Sequence, residues 1–453
     1  MRRKEKTVTN KDIDIIVLYT TSLCNLACNY CYIDKNEALI KIDKILEESF
    51  NDENYYINFI KEICEDPNQL RQLQFWGGEP SLHLERTYHI IEQVIKNYPS
   101  FDTIMFSTNF TLVNFFDKVQ DIFNIYSKYR YRKFILDIQL SIDGPPAIND
   151  LGRGANTSKL FQKNIERLIE HLNNKEWIPK NVSLYMHFKP TLSMETIPLL
   201  QTEERVFEYF SFFDELTYEI SKYKSNQFSF YPTLPNTAEP SNPSKEMGQM
   251  FANLCKHCYN IEKKHKFKSY CTIMPYRHKG IETVTNRNFN SSCKSCGLGK
   301  VILGLLPEHK VSLCHMGFVD LIEDYKKICL NATEDKVIDL KLFNNLPDYK
   351  GFKTNCTLEE FYQQKKQLLE FDCDESTFQI ANLIAQIQLY AKYNIIDQKY
   401  TDNKEALEAA RFILTLPICL RDSTNVTGSM ALMPSGKIRL LLNGAKEYIL
   451  NEI

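Results

Sequence analysis

Three cysteines within eight residues, Cys24, Cys28 and Cys31 in the run YTTSLCNLACNYCYID, stand out for chemistry. Thiolates bind iron–sulfur clusters and zinc. Three thiolates around one centre leave one position of a four-position site open. The spacing, three residues and then two, differs from the pairing usual in zinc modules. A zinc site or three ordinary buried thiols are the plainer alternatives. A second candidate is Gly77-Gly78-Glu79-Pro80. A glycine pair lets backbone come close to a ligand, and a carboxylate after it can accept bonds from an ammonium group. By itself this tetrapeptide is a turn. A third is Cys293-Lys-Ser-Cys296, with Cys314 following at the end of Pro307-Glu-His-Lys-Val-Ser-Leu. A two-cysteine knuckle leading into a β-hairpin can bring three sulfurs together, for zinc or for iron and sulfide.

The elements that must hold these residues follow from hydrophobic periodicity. Residues 13–20 read as a strand ending just before Cys24, and residues 36–50 and 54–64 as helices. A strand from Leu73 to Trp76 runs into the glycine pair, with a helix over 81–98. Thr103–Asn109 and Phe134–Gly144 read as strands with polar carboxyl ends, carrying Ser107, Asn109, Ser141 and Asp143. Residues 157–172 fit an amphipathic helix. Strands follow at 182–191 and 226–231. Strand–helix alternation predicts parallel βα units. The apolar strand with a polar tip suits an α/β barrel with chemistry at the strand ends, though an open doubly wound sheet fits the pattern equally. Residues 232–243 hold four prolines and read as a linker. Cys255 and Cys258 share one face of a helix over 244–264 and read as buried thiols, with a metal site as the alternative.

The three-cysteine motif, with Tyr30 before its last cysteine and Tyr32 after it, resembles the signature of radical S-adenosylmethionine (SAM) enzymes. In that family the cysteines hold a 4Fe–4S cluster whose remaining iron binds SAM. Gly77-Gly78-Glu79 resembles the family's GGE motif, which holds the SAM amino group. Ser141-Ile-Asp143-Gly resembles a strand facing the ribose and methionyl part of SAM. Asn149-Asp150-Leu-Gly-Arg153-Gly resembles a polar loop whose arginine pairs with a carboxylate of SAM or substrate. A turn role for Asp143 and a surface role for Arg153 are the alternatives, and Ser107 and Asn109 are further candidate contacts. Cys293, Cys296 and Cys314 resemble the SPASM or twitch extension, where such cysteines bind an auxiliary 4Fe–4S cluster. The dense four-cysteine run of the full extension is missing. One auxiliary cluster is therefore expected, its fourth ligand any of Cys329, Cys356, Cys373 and Cys419, or its fourth position left open. His315 stands where sulfatase-maturing members carry an aspartate base. That argues against sulfatase maturation and makes His315 a candidate base.

The resemblance implies a partial (β/α)6 TIM-like barrel over residues 1–231. After the linker, a small cysteine-rich α+β auxiliary domain is expected over 244–453. Residues 306–317 align without gaps with 433–444, so a second hairpin lacking the metal ligand is expected near 430–445. Residues 357–395 and 403–415 read as helical. With 453 residues, 43% of them hydrophobic and 25% charged, the chain has room for two or three domains. A formal net charge of −2 gives no global pull toward nucleic acid or membrane. No apolar run suits a signal peptide or a membrane span, so a cytoplasmic protein is expected. Ten of the fourteen cysteines lie beyond residue 250, and in a reducing compartment they read as ligands or buried thiols rather than disulfides.

The resemblance implies one-electron cleavage of SAM to a 5′-deoxyadenosyl radical that takes hydrogen from a substrate. A peptide or protein side chain is the expected substrate, and flavodoxin or ferredoxin the expected electron donor. A small-molecule substrate is the alternative, and a non-enzymatic metal-binding module a third. About a dozen residues precede the first strand, so no leader-binding winged helix is expected there.

Overall fold

The computed structural model describes residues 13–31, 33, 37–193, 195–232, 236–237, 302–312 and 355–357, with residues 250, 254, 257, 261, 264 and 265. The described residues form an α/β structure around a nine-stranded, mostly parallel sheet. Strand order is β11-β10-β9-β1-β2-β3-β4-β5-β7. The strands are β1 (Ile15–Thr21), β2 (Gln72–Gly77), β3 (Thr103–Thr108), β4 (Phe134–Leu140), β5 (Val182–Phe188), β7 (Phe228–Pro232), β9 (Ile302–Leu306), β10 (Lys310–Ser312) and β11 (Asn355–Thr357). Two-residue strands β6 (Thr191–Leu192) and β8 (Asn236–Thr237) pair separately. Part of the stretch read as a linker is therefore sheet.

The helices are α1 (Glu37–Asn51), α2 (Tyr55–Ile63), α3 (Tyr88–Asn97), α4 (Phe115–Ser127), α5 (Pro146–Arg153), α6 (Thr157–Asn173) and α7 (Glu203–Ser221). Four elements differ from the sequence reading. The helix expected over 81–98 begins as two short 3-10 turns, at Pro80–Leu82 and Leu84–Thr87, before α3. The polar loop expected at 149–154 is helix α5, started by Pro146 and stopped at Gly154, whose φ is +108°. Helices α4 and α7 went unread. Both carry the helical apolar period: Phe116, Val119, Phe123 and Tyr126 on α4, and Val206, Tyr209, Phe213 and Ile220 on α7. Their wealth of aromatic and β-branched residues hides the helix, because those types favour strands locally. Thr202 caps α7 by accepting from the Arg205 N–H at 3.3 Å.

Alternation along the strands splits the sheet into two faces. On β4, Phe134, Leu136, Ile138 and Leu140 are buried in the main core, with Val182, Leu184, Met186 and Phe188 of β5. The main core also takes Ile16 and Leu18 of β1 with α2. Val17 and Tyr19, on the other face of β1, join a separate cluster with Leu39, Ile42 and Leu46 of α1 and Leu306 of β9. Across β3, β4 and β5 that second face carries polar Ser107, Asp137, Gln139 and His187 beside Met105, Ile135 and Tyr185.

Strand β9 lies parallel to β1, with Ile15 opposite Ile302 and Leu18 opposite Leu305. It turns back into antiparallel β10 through a tight turn in which Glu308 and His309 have φ of +57° and +56°. The expected hairpin is present, and it extends the same sheet that carries the N-terminal motifs. Its turn is pinned to α2. Tyr55 Oη donates to the Leu306 carbonyl at 2.9 Å and accepts from the His309 N–H at 2.7 Å, and the His309 ring stacks on Phe59. No helix among the described residues is long and apolar enough to cross a membrane. Cys255, Cys258, residues 358–395 and 403–415 of the expected helices and the second hairpin near 430–445 lie outside the described residues, while Thr357, expected to begin a helix, ends strand β11.

Candidate functional site

The loop after β1 is fastened at the carboxyl ends of three neighbouring strands. At β2, the Gly78 N–H donates to the Thr21 carbonyl at 2.9 Å and the Glu79 N–H to the Leu23 carbonyl at 2.8 Å. The glycine pair makes this approach possible. A Cβ on Gly77, whose φ is +133°, would stand 2.0 Å from the Thr21 oxygen, and one on Gly78 would stand 2.1 Å from the Leu23 oxygen. The room that these glycines leave is thus filled by the cysteine loop's own backbone. At β3, Asn109 Nδ2 donates to Asn25 Oδ1 at 2.7 Å and lies 3.8 Å from Cys24 Sγ. Asn25 Nδ2 in turn donates to Thr111 Oγ1 at 2.9 Å. Beyond β4, the Asn29 N–H and Nδ2 donate to the carbonyls of Gly152 and Leu151 at 2.9 and 2.8 Å.

The start of the loop is held from the other side by α1. Asp43 accepts from the Thr21 hydroxyl and, at 3.0 Å, from the Ser22 N–H. Arg86 pairs with Asp43 at 3.3 Å and donates to the Thr20 carbonyl at 3.0 Å. Asn25, Asn29, Thr111, Asp43 and Arg86 escape sequence reasoning, because single polar residues in ordinary helices and turns carry no motif.

Two buried carboxylates stand beside the loop. Glu79 is 2% exposed. Its Oε1 accepts from the Ser81 N–H at 3.1 Å and from the Ser81 hydroxyl, and its Oε2 accepts from the Asn109 N–H at 2.6 Å. Burial pushes the Glu79 carboxyl above its ordinary range, and these donors pull against the shift. No cation pairs with Glu79 among the described residues. Asp143 is fully buried. Its Oδ1 accepts from Arg153 at 2.8 Å and from the Thr191 N–H at 2.9 Å, and its Oδ2 accepts from the Tyr30 hydroxyl. The Arg153 guanidinium also lies 5.7 Å over the Tyr30 ring. Burial works against the Arg153 charge, and the neighbouring Asp143 carboxylate outweighs it, so its pKa rises. Asp143 and Arg153 therefore hold each other and grip Tyr30 of the cysteine loop. Neither the turn role nor the surface role describes them. Arg153 Nε is buried without a hydrogen-bond partner among the described residues.

Of the remaining candidates, Ser107 meets the Ser141 hydroxyl at 3.3 Å on the polar face of the sheet. Cys24, Cys28 and Cys31 are partly exposed and in no disulfide. Among the described residues no three His, Cys, Asp or Glu side chains are gathered as a preformed metal site. The donor chemistry nonetheless suits a soft metal centre: three thiols on one short loop, with Asn109 reaching Cys24. Cys64 is a different thiol. It is buried, its Sγ lies 3.6 Å from the Ile13 carbonyl, and burial pushes its pKa up to about 12. Cys293, Cys296, Cys314 and His315 lie outside the described residues, as does Tyr32.

Residues 15–149 match the family described as a 4Fe-4S single cluster domain. The matched stretch holds the cysteine loop, the glycine pair, Glu79, Asn109 and Asp143. Among curated proteins, an uncharacterized protein of Methanocaldococcus jannaschii is 29% identical over 140 residues, 30% of this chain and 41% of the relative. The radical SAM cyclopropyl synthase TigE of Paramaledivibacter caminithermalis is 26% identical over 210 residues, 43% of this chain and 39% of TigE. The chain thus spans about two fifths of each relative, 41% and 39% of their lengths. Among solved structures, anSMEcpe with bound AdoMet has a TM-score of 0.40 and 17% identity over 81% of this chain and 99% of its own. Streptococcus suis SuiB bound to S-adenosylmethionine has a TM-score of 0.35 and 14% identity over 69% and 60%. Both matches are partial: the family model covers residues 15–149, and TigE aligns with 43% of this chain.

Proposed function

We propose that this chain is a radical SAM enzyme that takes a hydrogen atom from a peptide or protein side chain. The observation that carries the reading is the cysteine loop, held at the ends of β2, β3 and β4 with three thiols unbridged. Cys24, Cys28 and Cys31 would hold a 4Fe–4S cluster. When bound there, the cluster and SAM supply one-electron cleavage of a carbon–sulfur bond and hydrogen abstraction from an unactivated carbon.

The chain's own residues bind and orient. Glu79 is a buried carboxylate with bonding capacity left for an ammonium group. Arg153 Nε is a buried donor left for a carboxylate, while the rest of its guanidinium stays with Asp143. An unpaired buried donor costs about 1–3 kcal/mol, which a ligand that satisfies it recovers. Tyr30 presents a ring fixed at its hydroxyl. Asn109 supports Cys24 and, through its N–H, Glu79.

Cys293, Cys296 and Cys314 are proposed as ligands of an auxiliary 4Fe–4S cluster in a SPASM-like region, with His315 as a base beside it. A flavodoxin or ferredoxin is proposed as the electron donor. The peptide substrate rests on the resemblance to that extension. Anaerobic reconstitution tests the reading. The full chain is expected to take up iron and sulfide, to show a visible charge-transfer band and to form 5′-deoxyadenosine from SAM. Replacing Cys24, Cys28 or Cys31 by Ala is expected to abolish the product. Retained product in any of the three, or a colourless protein loaded only with zinc, would overturn it.

A further inference from the structure

The polar face of the sheet carries side chains that the cysteine loop does not use. Register places them in layers. Ser107, Gln139 and His187 lie opposite one another across β3, β4 and β5, and Met105, Asp137 and Tyr185 form the layer below. His187 is buried, with Nδ1 3.2 Å from Asp137 Oδ1. One step beyond His187, strand alternation puts Lys189 on the same face, level with Ser141. The Lys189 N–H still donates to the Leu140 carbonyl at 2.8 Å, so the pairing that fixes this orientation continues past the end of β5. Pro190 then holds Lys189 extended.

Lys189 is only partly accessible. No hydrogen bond or ion pair to its ammonium group is found among the described residues. The other lysines and arginines held in this part of the sheet have partners, as Arg153 has Asp143 and Arg86 has Asp43. Its pKa is lowered by burial alone, with no carboxylate to restore it. A desolvated cation without a counterion is costly, and a ligand that supplies the missing charge relieves that cost. Adjacent strands lie about 4.8 Å apart, so Lys189, two strands from β3, stands roughly 10 Å across from Asn109, whose Nδ2 lies 3.8 Å from Cys24 Sγ. That is the reach of a small substrate or of one side chain of a peptide.

We propose that Lys189 and the Ser141 hydroxyl form a subsite for a carboxylate of the substrate, at the mouth of the polar face beside the cysteine loop. A carboxylate suits the site better than a phosphate. One ammonium and a serine hydroxyl answer a single negative charge, and the Arg153 guanidinium is committed to Asp143. This deepens the proposed function by giving the modified side chain, or its neighbour in the peptide, an acidic group.

The test uses the anaerobically reconstituted full chain and glutarate as the probe. Lysines are acetylated with acetic anhydride, with and without glutarate, and Lys189 is compared with exposed Lys159 by peptide mass spectrometry. Glutarate is expected to slow modification of Lys189 about tenfold and of Lys159 not at all. By calorimetry, K189M is expected to weaken glutarate about tenfold or more, and K189R to restore it to within about threefold. Melting curves check that both variants fold. Unchanged Lys189 reactivity in glutarate overturns the proposal. Stronger protection by inorganic phosphate overturns the carboxylate assignment. Protection by SAM alone, with SAM affinity lost in K189M, assigns the lysine to the SAM carboxylate and overturns the substrate subsite. Glutarate binding needs no SAM cleavage, so its failure and a failure of the radical reading are told apart.

Discussion

Replacing Asp143 by Asn removes one charge and almost no volume from the clamp on the cysteine loop. Asp143 is fully buried and Arg153 is 7% exposed, so water cannot take over the lost partner. Breaking a buried ion pair from one side costs about 3–5 kcal/mol, because the remaining charge stays desolvated. The weakened bond from the Tyr30 hydroxyl adds about 1 kcal/mol. At about 2–4 °C per kcal/mol for a domain of this size, melting should fall by roughly 10 °C or more. The assay is anaerobic thermal melting, with hydrogen exchange of the peptide covering residues 24–31. Exchange there should quicken, because Tyr30 ties the loop to Asp143. Arg153→Met on top of Asp143→Asn should recover much of the loss, with a coupling of about 2 kcal/mol in the double-mutant cycle. If Asp143→Asn melted within about 1 °C of the parent, or the double variant gave no recovery, the clamp would not be an ion pair that fixes the loop.

Gly78→Ala places a methyl 2.1 Å from the Leu23 oxygen and 2.5 Å from its carbonyl carbon. Those are backbone atoms that cannot rotate away, so a loss of about 1–3 kcal/mol and a fall in bound iron are expected, read by melting and iron assay. Gly152→Ala meets the Tyr30 ring edge at 3.1 Å and Asp143 Oδ2 at 3.4 Å, side-chain rather than backbone atoms, and should cost less in the same assays. In native apoprotein, Cys24, Cys28 and Cys31 should alkylate readily while Cys64 stays protected until unfolding, as mapped by mass spectrometry. Burial raises the Asp150 carboxyl, but the Ser158 N–H and the hydroxyls of Ser158 and Thr157 lower it further, below its ordinary range. Its contribution is therefore present above the unfolded value of about 3.9 and is lost as pH falls through the depressed folded value. Asp150→Asn should lower the melting temperature at neutral pH, and the gap to the parent should close under strong acid.

The strands and the chemistry of the first half of the chain were legible because their signals are local. Apolar runs end in polar tips, and Cys24, Cys28, Cys31 and Gly77-Gly78-Glu79 sit just past such runs. The partners of these residues were not legible. Asp143 and Arg153 each read as a contact for something else, and nothing in the sequence says that they meet each other and Tyr30. The glycine pair read as room for a ligand, whereas its room is taken by Thr21 and Leu23. Asp43 and Arg86 reach the loop from helical and 3-10 positions whose own periodicity is unremarkable. Lys189 carries no motif in the sequence, and only register places it on the polar face. The position of β9 was beyond sequence reasoning for the same cause, since pairing between distant strands leaves no periodic trace in either.

The seam between β1 and β9 joins residues 15–18 to residues 302–305. During synthesis, the segment IIVLYTT emerges early and waits for nearly 300 residues before its second neighbour exists. Until then it is a bare, uncharged edge of β-branched residues, the kind of edge that recruits other chains. A fragment cut after β7 would keep that edge exposed for good. Attempts to express the first half alone should therefore precipitate, and a chaperone or the ribosome's own pace must shelter β1 until the hairpin arrives.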